Sequence, residues 1–194
     1  MLLPTYDVFD EARYFRPAER QHLCTLRGTP AALTICEDAW NDKRYWDKRL
    51  YERDPVDELA AQGAKVLISI NASPYQIGKR ARRRDIFAAA ARHHGIPVVY
   101  VNQVGGNDQL VFDGSSFALD PTGKLIAQAA SFAEDLVYVD TNTLRGDVHA
   151  THADEDDAVY EALVLGTRDY MRKCGFSKAV IGFSGGIDSS LVAC

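Results

Sequence analysis

Several things are scarce or missing in this 194-residue chain, and each absence narrows the reading. Cysteine is scarce: four residues, at 24, 36, 174 and 194, form no CxxC pair and have no histidine cluster near them at zinc spacing. That argues against a disulfide scaffold or a structural zinc site and suits a reduced, cytoplasmic setting. Basic residues are in deficit, 22 against 27 acidic, for a net charge of −5. A nucleic-acid partner is therefore not expected. No apolar run approaches the ~20 residues of a membrane span, and the opening MLLPTYDVFDEARYF places Pro4 and acids where a secretion signal has its apolar core. No membrane partner is expected either. There is no internal repeat, no low-complexity segment and no GxxxxGK[ST] loop. What remains is ordinary globular usage, with 46% hydrophobic and 25% charged residues.

The apolar runs read as an α/β pattern. Residues 1–22 mix acids, arginines and aromatics without a period and predict a long loop with one helical turn. Residues 22–27 and 31–35 predict two short strands around Gly28-Thr29-Pro30. Pro55 opens a helix to Gln62, with Asp57 and Glu58 in its first turn. Lys65–Ile70 and Val98–Asn102 predict buried strands flanking a helix over 79–94, which Gly95 and Pro97 stop. Leu110–Phe112, Ser116–Leu119, Leu125–Gln128 and Leu136–Val139 predict antiparallel strands, with Asp120-Pro121-Thr122-Gly123 as a hairpin turn. Thr141–Asp157 is polar and acidic and predicts an interdomain linker. Beyond it, apolar residues recur at helical spacing over Ala158–Cys174. Then Lys178–Phe183 predicts a strand and Asp188 the start of a helix.

Two stretches carry chemistry. In Ala31–Trp40 an apolar strand stops at Cys36, with Glu37 and Asp38 following at once. A thiol at a strand end can meet a carbonyl carbon as nucleophile; a buried packing thiol is the alternative. Glu37 reads equally as a pocket residue and as a first-turn acid. In GFSGGIDSS, glycines let the backbone approach a phosphate, and N–H groups at a helix start point at the anion. Hydroxyls of Ser184, Ser189 and Ser190 add donors, and Asp188 can hold a Mg²⁺ bridging phosphate oxygens. Other features read as bland. The basic run Lys79–Arg84 is expected to be a solvated helix start apart from Lys79, and His93-His94 a pair of helix-terminal imidazoles rather than ligands. Cys24, Cys174 and Cys194 are expected to be packing residues, and Trp40 and Trp46 to pack or to line a pocket.

GFSGGIDSS resembles the SGGxDS loop of the ATP pyrophosphatases. LLPTYDVFDEARYF, LTICEDAW and NASPYQIGK together resemble the nitrilase superfamily, within it the glutaminase domains of glutamine-dependent NAD⁺ synthetases. The resemblance covers almost the whole chain. It implies a partial nitrilase-like α-β-β-α sandwich over 1–140, a linker over 141–157, and over 158–194 the start of a doubly wound parallel-sheet domain. It implies L-glutamine, deamido-NAD⁺, ATP and Mg²⁺ as the small molecules handled, and a homo-oligomer in the full-length enzyme. Cys36 matches the nucleophile. Tyr6, Ser73 and Lys79 match glutamine contacts, with Glu37 beside them. Gly182, Phe183, Ser184, Gly185, Gly186, Ile187, Asp188 and Ser189 match the ATP loop, and Asp188 its magnesium ligand. The family's catalytic lysine and general-base glutamate would fall ahead of Met1, so the expectation is a fragment, inactive by itself. A nitrilase-type amidohydrolase and a non-catalytic nucleotide-binding remnant are the alternatives.

Overall fold

The computed structural model of the chain describes residues 1–6, 8–41, 51–152 and 154–194. In chain order the elements are strands β1 (Cys24–Leu26) and β2 (Thr29–Ile35), helix α1 (Pro55–Ala61), strand β3 (Val66–Asn71) and helix α2 (Lys79–His94). Strands β4 (Val98–Asn102), β5 (Val104–Asn107), β6 (Leu110–Asp113), β7 (Phe117–Leu119) and β8 (Leu125–Gln128) follow. Then come β9 (Val139–Asp140), β10 (Arg145–Gly146), helix α3 (Glu155–Lys173) and helix α4 (Ile187–Ala193). Six strands form one mixed sheet in the order β1-β2-β3-β4-β7-β8. Its centre, β2-β3-β4, is parallel, and both flanks are antiparallel. This is the α/β class that the run pattern predicts.

Alternation along the three parallel strands decides what lies on each face. Ala32, Leu67, Val98 and Leu119 stand side by side in register and are buried. So are Thr34, Ser69, Tyr100 and Phe117 in the next row. Both rows lie under α1 and α2, whose Val56, Leu59, Phe87, Ala88 and Ala91 complete the core. Phe87 and Phe117 enclose the Tyr100 ring, stacked on Phe117 at 4.8 Å. α1 begins cleanly because Asp54 accepts a hydrogen bond from the Asp57 N–H (3.1 Å) and Pro55 occupies the first helical position. α2 ends at Gly95, which adopts φ +66° and donates its N–H to the Ala91 carbonyl (2.9 Å).

The described residues cover the opposite face only in part. Val139 and Leu144 lie over Ala118, Ile126 and Ala127 at the β7–β8 end. Leu33, Ile35, Ile70 and Val101 remain exposed at the β2–β4 end. α3 docks on the β5–β6 ribbon through Ala158, Ala162 and Leu165, against Phe132, Tyr75, Val104 and Val111.

The structure corrects four local expectations. Lys178–Phe183 forms no strand, and Val180 is fully exposed; a strand exists only by pairing, and among the described residues nothing pairs with this one. Leu136–Val139 contributes only Val139 to a ladder, and Leu136 and Tyr138 face solvent. The stretch 141–157 carries β10 and the first turn of α3. Cys174 and Cys194 are exposed rather than packed, while Cys24 is half-buried. Trp46 and Asp7 lie outside the described residues.

Candidate active site around Cys36

Three parallel strands end at one edge, the usual ligand-binding edge of such a sheet, and that edge gathers the predicted residues. β2 delivers Cys36, β3 runs into Ala72 and Ser73, and β4 ends at Asn102. Cys36 opens a short 3-10 turn, Cys36–Ala39, with φ +35°. A side chain in the left-handed region carries backbone strain that its surroundings must hold. Asp38 is the holder here. Fully buried, it accepts hydrogen bonds from the Ile35 N–H (3.0 Å), the Leu2 N–H (2.6 Å) and Gln21 Nε2 (3.1 Å).

Around the sulfur the charges are mixed. Burial pushes the Cys36 thiol above its ordinary value, and Glu37 adds to that; the Ala72 N–H, Lys79 and Arg83 pull the other way. The balance keeps a protonated thiol at neutral pH. Glu37 is buried and accepts a hydrogen bond from the Tyr6 hydroxyl (2.8 Å). Burial, and then that carboxylate, raise the Tyr6 hydroxyl well above its usual range. Tyr51, bonded to the Leu3 carbonyl (3.0 Å), is raised in the same way by burial and Glu37. Lys79, the first residue of α2, places its ammonium 5.5 Å from the Trp40 ring centroid. Desolvation, with Arg83 next, lowers its pKa.

Ser73 sits behind this group and is buried. Its N–H donates to Asn102 Oδ1 (2.9 Å), and its carbonyl accepts from Arg83 Nη2 (2.7 Å). Its Oγ accepts from Arg83 Nε (3.2 Å). Arg83 corrects the expectation of a solvated basic run: it is 1% exposed and forms a two-pronged ion pair with Asp113 Oδ1 (2.7 Å) and Oδ2 (3.0 Å). Arg83, Asp113, Asp38, Asn102 and Tyr51 are the site residues that the sequence reading missed. A lysine and an arginine four apart on one helix face, and an aspartate closing the apolar strand LVFD, were the available signals.

The second set of residues stands elsewhere. Gly182, Phe183, Ser184, Gly185, Gly186, Ile187 and Asp188 are exposed, outside the Cys36 cluster, and Ser189 is half-buried. The loop curls on its own hydroxyls: Ser184 Oγ meets Ser189 Oγ (3.0 Å) and accepts from the Gly186 N–H (3.3 Å). Gly185 takes φ +81°, and a Cβ at Gly182 or Gly185 would meet nothing within 4 Å. The loop is thus open to an approaching phosphate, and Asp188 offers one carboxylate. That donor set fits Mg²⁺ only as a partial shell, completed by water and phosphate oxygens.

Residues 3–146 match the carbon-nitrogen hydrolase family, and residues 159–194 match NAD synthase. The glutamine-dependent NAD(+) synthetase of Synechocystis is 44% identical over 197 residues, covering 99% of this chain and 35% of the relative. That of Rhodobacter capsulatus is 41% identical, covering 98% and 34%. Among solved structures, the glutamine-dependent NAD⁺ synthetase of Acinetobacter baumannii in complex with ADP superposes with a TM-score of 0.86 at 36% identity, over 99% of this chain and 35% of that one. A carbon-nitrogen hydrolase of Helicobacter pylori, 24% identical over 69% of this chain and 47% of its own, shares the fold with a TM-score of 0.56. The chain therefore spans about a third of the length of the curated relatives it matches.

Proposed function

The chain belongs to the carbon-nitrogen hydrolase family, and from that premise we propose that it is part of a glutamine-dependent NAD⁺ synthetase. The nitrilase-like half over 1–140 releases ammonia from L-glutamine. The half that begins near 158 takes part in the ATP-driven amidation of deamido-NAD⁺ to NAD⁺. One observation carries the reading: a cysteine on a strained turn, ringed by Tyr6, Glu37 and Lys79, precedes a match to NAD synthase in the same chain.

In this reading the Cys36 thiolate attacks the carboxamide carbon of glutamine. The C–N bond breaks, ammonia leaves with the proton that the thiol gave up, and water hydrolyses the thioester to glutamate. The raised thiol pKa means that a base must take that proton before attack. Lys79 pairs with the α-carboxylate of glutamine, Glu37 and Tyr6 face its α-ammonium, and the Ser73 hydroxyl donates to a carboxylate oxygen. In the second half the carboxylate of deamido-NAD⁺ attacks the α-phosphorus of ATP and pyrophosphate leaves. Ammonia then displaces AMP. Residues 182–189 cradle phosphate, and Asp188 supplies one oxygen to Mg²⁺. Small molecules are the partners, with no nucleic acid or membrane involved, and the longer enzyme works as a cytoplasmic homo-oligomer. Among the described residues no helix is long and apolar enough to cross a membrane.

The test places this chain in the corresponding third of the Synechocystis enzyme. NAD⁺ formation is then measured with glutamine and, separately, with ammonium. Cys36→Ala should abolish the glutamine-dependent rate and leave the ammonium-dependent rate intact. Equal glutamine-dependent rates with and without the thiol would overturn the assignment; the ammonium rate shows that the chimera has folded.

A further inference from the structure

The far end of α2 carries a second cluster that the reading above does not use. Lys79 and Arg83 sit at the start of α2; His93 and His94 close it, roughly 20 Å away at 1.5 Å per residue. There the helix packs against α1, and Asp57 of α1 comes within 3.5 Å of His94 Nε2. One ligand atom each from Asp57, His93 and His94 lies within 4.8 Å of the other two.

We propose that Asp57, His93 and His94 bind a divalent transition-metal ion of the zinc or cobalt type, which staples α1 to the end of α2.

The geometry suits such an ion. Bonds of about 2.0–2.1 Å set tetrahedral ligands roughly 3.4 Å apart. The Asp57–His94 pair already stands at that spacing. His93 is exposed, so its ring can close the remaining gap without disturbing the core. Adjacent residues on a helix normally point about 100° apart. Here the two rings nonetheless meet edge to face, 4.6 Å between centroids, at the last two positions of the helix. Two imidazoles and one carboxylate select a borderline metal; magnesium and calcium demand oxygen shells. Glu58 lines the same cleft but is bound to Arg53. Three protein ligands leave one position for water. Helix-terminal position alone explains a single cationic imidazole; it does not explain two rings converging on a carboxylate of a neighbouring helix.

The experiment titrates the tag-free, chelator-stripped 194-residue chain with Co²⁺, following its visible tetrahedral absorption and the heat of binding. The expected result is one equivalent bound, a rise in Tm at saturation, and an affinity at least about tenfold lower in both His93→Ala and Asp57→Asn. His93 is exposed, so the metal-free Tm of His93→Ala should equal that of the parent. Unchanged Co²⁺ affinity in either variant, loss of binding instead in Cys36→Ala, or no saturable binding would overturn the proposal.

Discussion

At the scale of single residues, the site rests on buried charges that hold one another. Arg83 binds Asp113, the Ser73 hydroxyl and the carbonyls of Ser73 and Pro74, so one guanidinium fixes the loop that carries the proposed glutamine contact. Removing one partner of such a pair leaves an uncompensated buried charge. Arg83→Met should therefore cost about 3–5 kcal/mol of stability by denaturant unfolding. Replacing both partners, Arg83→Met with Asp113→Leu, should recover part of it. A single-variant loss below about 1 kcal/mol would count against this role. Cys36 offers a second measurement. Its raised pKa predicts that iodoacetamide alkylation of Cys36, followed by mass spectrometry, has its midpoint above the value of about 8.5 for a free cysteine. Lys79→Met removes a cation that favours the thiolate and should move the midpoint higher still. A midpoint below that of free cysteine, or a downward move in Lys79→Met, would contradict the charge balance described. Arg83 was not legible in the sequence because six consecutive residues, four of them arginine, look like a solvated face. Only the packing of α2 on the sheet turns position 83 inward.

At the scale of elements, what was legible was local. Apolar runs located β2, β3 and β4. Pro55, Gly95 and Pro97 bounded α1 and α2, because caps and breakers act within a few residues. What failed was pairing. Lys178–Phe183 has the composition of a strand, but a ladder depends on neighbours that composition does not contain. The docking of α3 was equally invisible, although its helical period was plain. It depends on close approach at Gly106, where a Cβ would stand 3.0 Å from Gly166 Cα and 3.3 Å from Asp169 Cβ. Asp169 also accepts the Gly106 N–H (2.8 Å). Gly106→Val should force α3 off the β5–β6 ribbon and cost about 1–3 kcal/mol in thermal unfolding. An unchanged Tm would show that α3 is not held there.

At the scale of the whole molecule, the sheet has two unlike faces. α1 and α2 bury one completely at its centre. On the other, Ile35, Ile70 and Val101 lie side by side in register with Leu33 close by, all between 40% and 53% exposed. An apolar patch on that scale calls for a covering layer. Cys36 follows Ile35 directly, at the end of β2 where Lys79 and Arg83 of α2 act on its sulfur. α3 joins the two matched regions: its Glu155 reaches Arg80 (3.6 Å), one residue from Lys79, and its far end leads to the glycine loop. Covalent trapping tests, without requiring turnover, whether Cys36 is a nucleophile shaped for glutamine. The chain, placed in the corresponding third of the Synechocystis enzyme, would be treated with a glutamine analogue bearing a diazoketone in place of the amide, and adducts mapped by mass spectrometry. A single adduct on Cys36, suppressed by excess L-glutamine and absent in Cys36→Ala, is the predicted result. Adducts spread over the exposed Cys174 and Cys194, or labelling of Cys36 that glutamine does not suppress, would contradict it.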